Sequence, residues 1–323
     1  LSTYLPVALR SKQSRRCPIR YLRGGLRWWH FREIILIMRR RQISHVTEYR
    51  FPSPVSLLPH RWLLRPRESH SVHIESSLLE ITPEHTVQWK RDAMDNSVAV
   101  VNFKGQSDLL SVVSTVIIQH YDENPFDFLV DEYAVMHPFS YAAAEEVELG
   151  PFIQNVYASD RAAIQQWLKT LGLPSGTQTF SLLDRINREI SFSFYYLIRE
   201  EPGVQSPATT LMLRSGSCRD FAALFIEACR HLGLASRFVS GYLFIWGQES
   251  ANASTHAWAE VYLPGAGWKG FDSTSGEVTG DRHIAVAVAR HPEAVPPVAG
   301  DFVGGPDLRP LLNVTVRVSA PDS

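Results

Sequence analysis

Cysteine is scarce: Cys17, Cys218 and Cys229 are the whole complement of a 323-residue chain. So few exclude a disulfide scaffold. Long apolar runs are missing as well. None approaches the ~20 residues that a spanning helix needs, which excludes a helical integral membrane protein. The metal-binding patterns HExxH and paired CxxC do not occur, nor does the P-loop of nucleotide-binding proteins. An EF-hand pattern and a dense acidic loop are likewise lacking. The chain is therefore expected to work without a metal and without a cofactor.

What is present is unevenly distributed. Residues 1–41 carry eleven basic side chains against one acid, Glu33, whereas residues 42–323 carry 21 basic and 32 acidic ones. The body is acidic, so neither nucleic acid nor a membrane is expected as a partner. The leader has no helical or strand period. Its apolar stretch, Ile34 to Met38, is five residues long and clamped by charges, short of the ~7–15 of a secretory signal. The expectation is that residues 1–42 form a basic leader outside the fold. On this reading residues 1–37 derive from an over-extended start or a non-native leader, the working protein begins at Met38, and its location is cytoplasmic.

The rest of the chain changes grammar once. From residue 43 to about 150 the period is two. Val72 and Ile74 alternate with polar neighbours, Thr86–Lys90 and Ser97–Val101 flank the turn pair Asp95-Asn96, and Val112–Tyr121 forms a longer run. Recurring turn signals and no helical stretch predict an antiparallel β-sandwich-like domain. Its histidines, His45, His60, His70, His73, His85 and His120, form no cluster and read as mostly solvated. Gly150-Pro151 then opens a linker. Helices are predicted from Ser159 or Asp160 to about Leu171 and from Phe180 to Ile190. A loop with Pro202, Gly203 and Pro207 follows. After the central segment come a strand at Ile284–Ala289, a loop-rich stretch from Pro292, and a final edge strand from Leu312 to Val318. His283 and His291 read as surface residues.

The chemistry-bearing segment lies between these. Ser217 and Asp220 have capping-box spacing, so Ser217 caps a helix whose first residue is Cys218 and which runs to about His231. Backbone N–H groups and the positive end of the helix dipole point at the Cys218 sulfur and favour the thiolate. Arg219 adds to this and Asp220 opposes it. Cys229 lies in mid-helix and reads as core, and Cys17 takes no role. A thiolate nucleophile needs a base and a group that orients the base. Downstream, Thr255–Leu263 reads as a strand with Ala257, Ala259, Val261 and Leu263 facing inward and His256 on the mixed face. A turn at Pro264–Gly267 leads back along Trp268–Asp272. That hairpin puts His256 and Asp272 on neighbouring strands. Tyr195, Tyr196 and Trp258 could each donate to an oxyanion, although a wall or core role suits each of them.

The segments GSCRDFAALFIEACRHLGLASRFVSGYL, THAWAEVYLPGAGWKGFDSTSG, HVTEYRFPSPVSLLPHRWLLRP and ENPFDFLVDEYA resemble those of the bacterial transglutaminase-like cysteine enzymes with an N-terminal β domain. The resemblance covers about residues 43–320. It implies an α+β fold: an N-terminal β domain at 43–150, a papain-like core at 151–292, and a C-terminal loop and strand at 293–323. It also implies a triad with Cys218 as nucleophile, His256 as general base and acid, and Asp272 as orienter. The implied reaction is acyl transfer through a thioester on a protein or peptide substrate. Hydrolysis of a peptide, isopeptide or side-chain amide, amine-accepting transglutamination and an idle binding module are the open outcomes.

Overall fold

The computed structural model describes residues 38–121, 124–199, 201–244, 251–305 and 308–319, with side chains undescribed at 251–253. The leader 1–37 lies outside the described residues. The described residues belong to one compact unit. None of their helices is long and apolar enough to cross a membrane.

The period-two segment builds antiparallel sheets. The first strand, Met38–Leu57, pairs with Ser107–Tyr121 on one side and Leu311–Ser319 on the other, and Val72–Thr82 extends the sheet beyond Ser107–Tyr121. A second sheet holds His85–Arg91, Ser97–Phe103, His60–Trp62 and Val298–Ala299. Phe51, Val55, Leu110 and Val112 of the first sheet meet Trp62, Ala99 and Val101 of the second in one apolar cluster, as the sandwich pattern predicts. The first strand starts ahead of the expected boundary at 43. Met38 to Gln42 are strand residues, because alternation lets each basic side chain find a partner. Arg40 forks onto Glu75 at 2.6 Å, and Arg41 lies over the Phe244 ring at 3.9 Å.

The second half packs helices against the sheet that carries the site. Five helices occur among the described residues: α1 (Ala143–Ile153), α2 (Arg161–Thr170), α3 (Thr179–Ser193), α4 (Pro207–Leu213) and α5 (Cys218–His231). Residues Asp220 to Arg230 of α5 are buried throughout, which marks a core helix rather than a surface one. It packs on Ser236–Leu243 and Ala251–Leu263, whose residues Ala257, Ala259, Val261 and Leu263 face the core as predicted. Each fully buried Leu or Phe there stabilises the fold by roughly 1.5–3 kcal/mol. A buried ion pair within α5, Glu227 to Arg230 at 2.7 Å, anchors the flanking chain. Glu227 accepts N–H bonds from Val156 and Tyr157, while Arg230 donates to the carbonyls of Phe152, Ser236 and Arg290.

Several expectations are corrected. Gly150-Pro151 is not a linker but the end of α1. Pro151 lies inside the helix, where it costs one i→i−4 hydrogen bond, and α1 buries only Leu149, so it shows no apolar stripe. The loop expected around Pro207 contains α4, with Pro207 in the first turn and the Ser206 hydroxyl accepting the Thr209 N–H. The last strand is not an edge. It lies between Met38–Leu57 and the start of Ala251–Leu263, and so joins the N-terminal sheet to the sheet of the site. The apolar core is shared too, with Ile43, Val72 and Ile118 in one cluster with Phe225 and Phe271.

Three of the six N-terminal histidines, His45, His60 and His120, are buried rather than solvated. His45 holds the two halves together. Tyr242 donates its hydroxyl hydrogen to the Leu64 carbonyl and meets His45 Nδ1 at 3.0 Å, so Nδ1 is the donor of that pair. Nε2 then accepts from the Thr47 hydroxyl at 3.0 Å. Burial pushes the His45 pKa from 6.5 down to about 4. A depressed folded pKa means that the unfolded chain takes the proton first. The stability is whole above pH 6.5 and is lost as pH falls from there towards about 4, a loss of about 3 kcal/mol. In urea unfolding, His45→Gln is expected to lose about that much less stability than wild type between pH 7 and pH 4. Identical pH slopes for the two proteins would refute this account.

Candidate active site

The cysteine is delivered by a tight turn into a capped helix. Arg214 ends α4 with φ +50°, and Ser215-Gly216 then pairs in parallel with Tyr195-Tyr196. Ser217 is the N-cap and Cys218 the first helical residue, as predicted. Asp220, fully buried, carries the cap. Its Oδ2 accepts both the Ser217 N–H and the Ser217 hydroxyl at 2.8 Å, and its Oδ1 accepts the Gln205 N–H at 2.8 Å. Arg199 neutralises it through Nη1 at 2.8 Å. Glycine is required at 216, where a Cβ would stand 2.9 Å from Asp220 Cβ.

The structure brings Cys218, His256 and Asp272 together. The regular pairs of the hairpin end at Ala259 and Phe271, so Asp272 lies just past the ladder and reaches across to the histidine. His256 Nε2 meets Asp272 Oδ2 at 2.9 Å. A carboxylate only accepts, so Nε2 carries the hydrogen and Nδ1 is left for another partner; Cys218 lines the same cleft, near enough for its charge to act on the ring. Cys218 is half-buried, while His256 and Asp272 are buried.

The electrostatics follow from this packing. Burial alone lowers the His256 pKa, but the bond to Asp272 and the charges of Asp272 and Cys218 outweigh it and raise the value to about 10. Burial works against the Asp272 carboxylate too, yet hydrogen bonds from His256 and from a second histidine, His283, hold it well below the ordinary carboxylate range. Cys229 is the contrast: burial pushes its thiol far up.

His283 corrects the expectation of a surface residue. It is buried, and its Nε2 lies 3.2 Å from the same Asp272 Oδ2. A histidine placed before an apolar run carries no local sign of an acid eleven residues upstream. The neighbouring aromatics also sort themselves. Trp258 is buried core, whereas Tyr195 and Tyr196 are exposed, Tyr196 near enough to Cys218 for that charge to act on it. Burial, then the charges of Cys218 and Asp272, raise the Tyr196 pKa.

The only His, Cys, Asp and Glu cluster with metal-ligand spacing among the described residues is His256, Asp272 and His283. Its atoms are committed to one another, both histidine Nε2 atoms to Asp272 Oδ2. The Gly280 N–H donates to His283 Nδ1 at 3.3 Å, which puts the remaining ring hydrogen on Nε2, the atom a metal would need. Cys218 and His256 open onto a cavity of about 470 Å³ lined also by Phe238, Val295, Pro296 and Pro297.

Residues 41–119 match the bacterial transglutaminase-like N-terminal region, and residues 169–273 match the transglutaminase-like superfamily. Residues 169–273, which hold the site, are therefore a transglutaminase-like core. The second match contains Cys218, His256 and Asp272 and supports a cysteine-dependent enzyme of this superfamily. An uncharacterized protein of Mycobacterium tuberculosis is 26% identical over 277 residues, covering 81% of this chain and 87% of its own. One of Mycobacterium leprae is 31% identical over 107 residues, 31% of this chain and 37% of its own. A crystal structure described as that of a candidate cysteine protease from Cytophaga hutchinsonii superposes with a TM-score of 0.69 at 20% identity, covering 89% of this chain and 92% of that one. At that identity it shows the fold: an antiparallel transglutaminase-like core with an N-terminal β region.

Limiting iodoacetamide is expected to alkylate Cys218 in the native protein and to leave Cys229 untouched, as intact mass and peptide mapping would show. His256→Ala should slow the Cys218 reaction about tenfold. Because the raised His256 pKa keeps the imidazolium up to about pH 10, the two proteins should converge only above that pH.

Proposed function

We propose that this protein is a cysteine-dependent acyl-transfer enzyme that hydrolyses peptide, isopeptide or side-chain amide bonds through a thioester. The observation that carries the reading is His256, bonded to the buried Asp272 carboxylate, in one cleft with the Cys218 at the start of α5. The same fold in a candidate cysteine protease supports it.

The steps follow from the geometry. Cys218 Sγ attacks the amide carbonyl carbon, and its proton resides on His256 Nδ1. The C–N bond breaks as His256 passes that proton to the leaving amine, and a thioester remains. Water then adds to the thioester with His256 as base, the carboxylic acid leaves, and the proton returns to the thiol. Asp272 holds the ring so that Nδ1 faces the sulfur and stabilises the imidazolium. The Cys218 N–H at the start of α5 and the Tyr196 hydroxyl are the oxyanion donors in this reading. The apolar cavity beside Cys218 suits a peptide side chain. Half-exposure of Cys218 favours water over an amine as acceptor.

The test is a defined peptide mixture followed by mass spectrometry, with and without monodansylcadaverine as a primary amine. Cleaved or deamidated products are expected from wild type, reduced about a thousandfold or more in Cys218→Ala and His256→Ala. Incorporation of the amine in preference to water would make the protein a transglutaminase instead. Failure of wild type to release p-nitrophenol from p-nitrophenyl acetate, together with intact peptides, would leave the binding-module reading.

A further inference from the structure

We infer that His283 is a positioning residue of the triad: its Nε2–H and the Thr274 N–H lock the Asp272 carboxylate in the one orientation that presents His256 to Cys218. The inference rests on the acyl-transfer reading above.

Asp272 has no exposed surface, so its charge must be met by protein donors. Oδ1 takes the Thr274 N–H at 2.9 Å. Oδ2 takes two imidazoles, His256 Nε2 at 2.9 Å and His283 Nε2 at 3.2 Å. With His256 alone on Oδ2, rotation about the Cβ–Cγ bond would let the carboxylate follow the ring or offer it the other oxygen. A third N–H, from a different strand, removes that freedom. His283 is fixed on all sides for this task. The Gly280 N–H on Nδ1 selects the tautomer with the hydrogen on Nε2. The Trp258 ring packs edge-on to the His283 ring, 5.3 Å between centroids. That ring in turn lies so close to Gly241 that a Cβ there would come within 2.5 Å of it.

The two histidines face different spaces. His256 lines the cleft with Cys218, whereas His283 lines a second, polar cavity of about 380 Å³ with Arg67, Arg237 and Glu260. The second cavity contains neither Cys218 nor His256. A residue whose hydrogen bond to the triad goes to Asp272, and which stays out of the cleft, should alter the rate of acylation and leave binding in the cleft unchanged. His283 also lies beyond residue 273, where the superfamily match ends.

The experiment uses the full chain and p-nitrophenyl acetate as acyl donor. His283→Leu keeps bulk and loses the donor, and His283→Gln places an amide N–H near the lost Nε2–H. In His283→Leu the acylation rate is expected to fall 10–100-fold, about 1.4–2.7 kcal/mol, with KM for the ester within about twofold. In His283→Gln it should return to within about threefold of wild type. Proton NMR should show two downfield imidazole N–H signals in wild type, one of them lost in either His283 variant. The inference is overturned if the Leu and Gln variants lose activity equally, if neither loses any, or if KM moves instead of the rate. Should wild type fail to turn over the ester and also leave the peptides intact, the acyl-transfer reading falls. The downfield signals then decide the bond to Asp272 on their own, and a single wild-type signal would sink it.

Discussion

A carboxylate buried beyond the reach of water must be paid for in hydrogen bonds, and that constraint organises this site twice. Asp272 sits past the end of a hairpin with three N–H donors around it. Asp220 sits in the first turn of α5 with Arg199, Gln205 and Ser217 around it. An unpaired buried carboxylate would take up a proton or distort the fold. Each therefore draws several backbone segments to itself. The first fixes the direction of His256, and the second fixes where α5 begins and thus where Cys218 stands. The geometry of the site is in this sense a by-product of satisfying two anions.

The helix and the sheet contribute different things. Because α5 is buried along nearly its whole length, the cysteine at its start cannot tilt without disturbing the core. The sheet supplies His256 from a strand interior and Asp272 from a strand end. That mixture pairs a rigid base with an acid whose position depends on the short Ser273–Gly276 turn. Asn187 of α3 steadies that turn by accepting the Ser273 hydroxyl at 2.8 Å.

Much of the site was legible in the sequence because its signals are local. The Ser217–Asp220 spacing marks a helix start, and alternation through Ala257 to Leu263 with a Pro-Gly turn marks a hairpin. Both are read over a few residues, and both coincide with the structure. What was not legible depends on distant partners. His283 gains its meaning only from Asp272, across a turn at Gly280. His45, buried against Tyr242, alternates along its strand just as a solvated histidine would. Helix α1 hides because only Leu149 is buried, so no apolar period announces it. The last strand alternates as an edge strand does, and nothing within it reveals that neighbours lie on both sides.

That last strand has a consequence for the order of assembly. Residues 311–319 are synthesised after Cys218, His256 and Asp272, yet they lie between the first strand and the start of the strand bearing His256. A nascent chain can already hold every reactive group and still lack the piece that joins the two sheets. Such long-range closure is slow and comes late. The seam between the two sheets therefore waits for residues that follow the whole site in the chain.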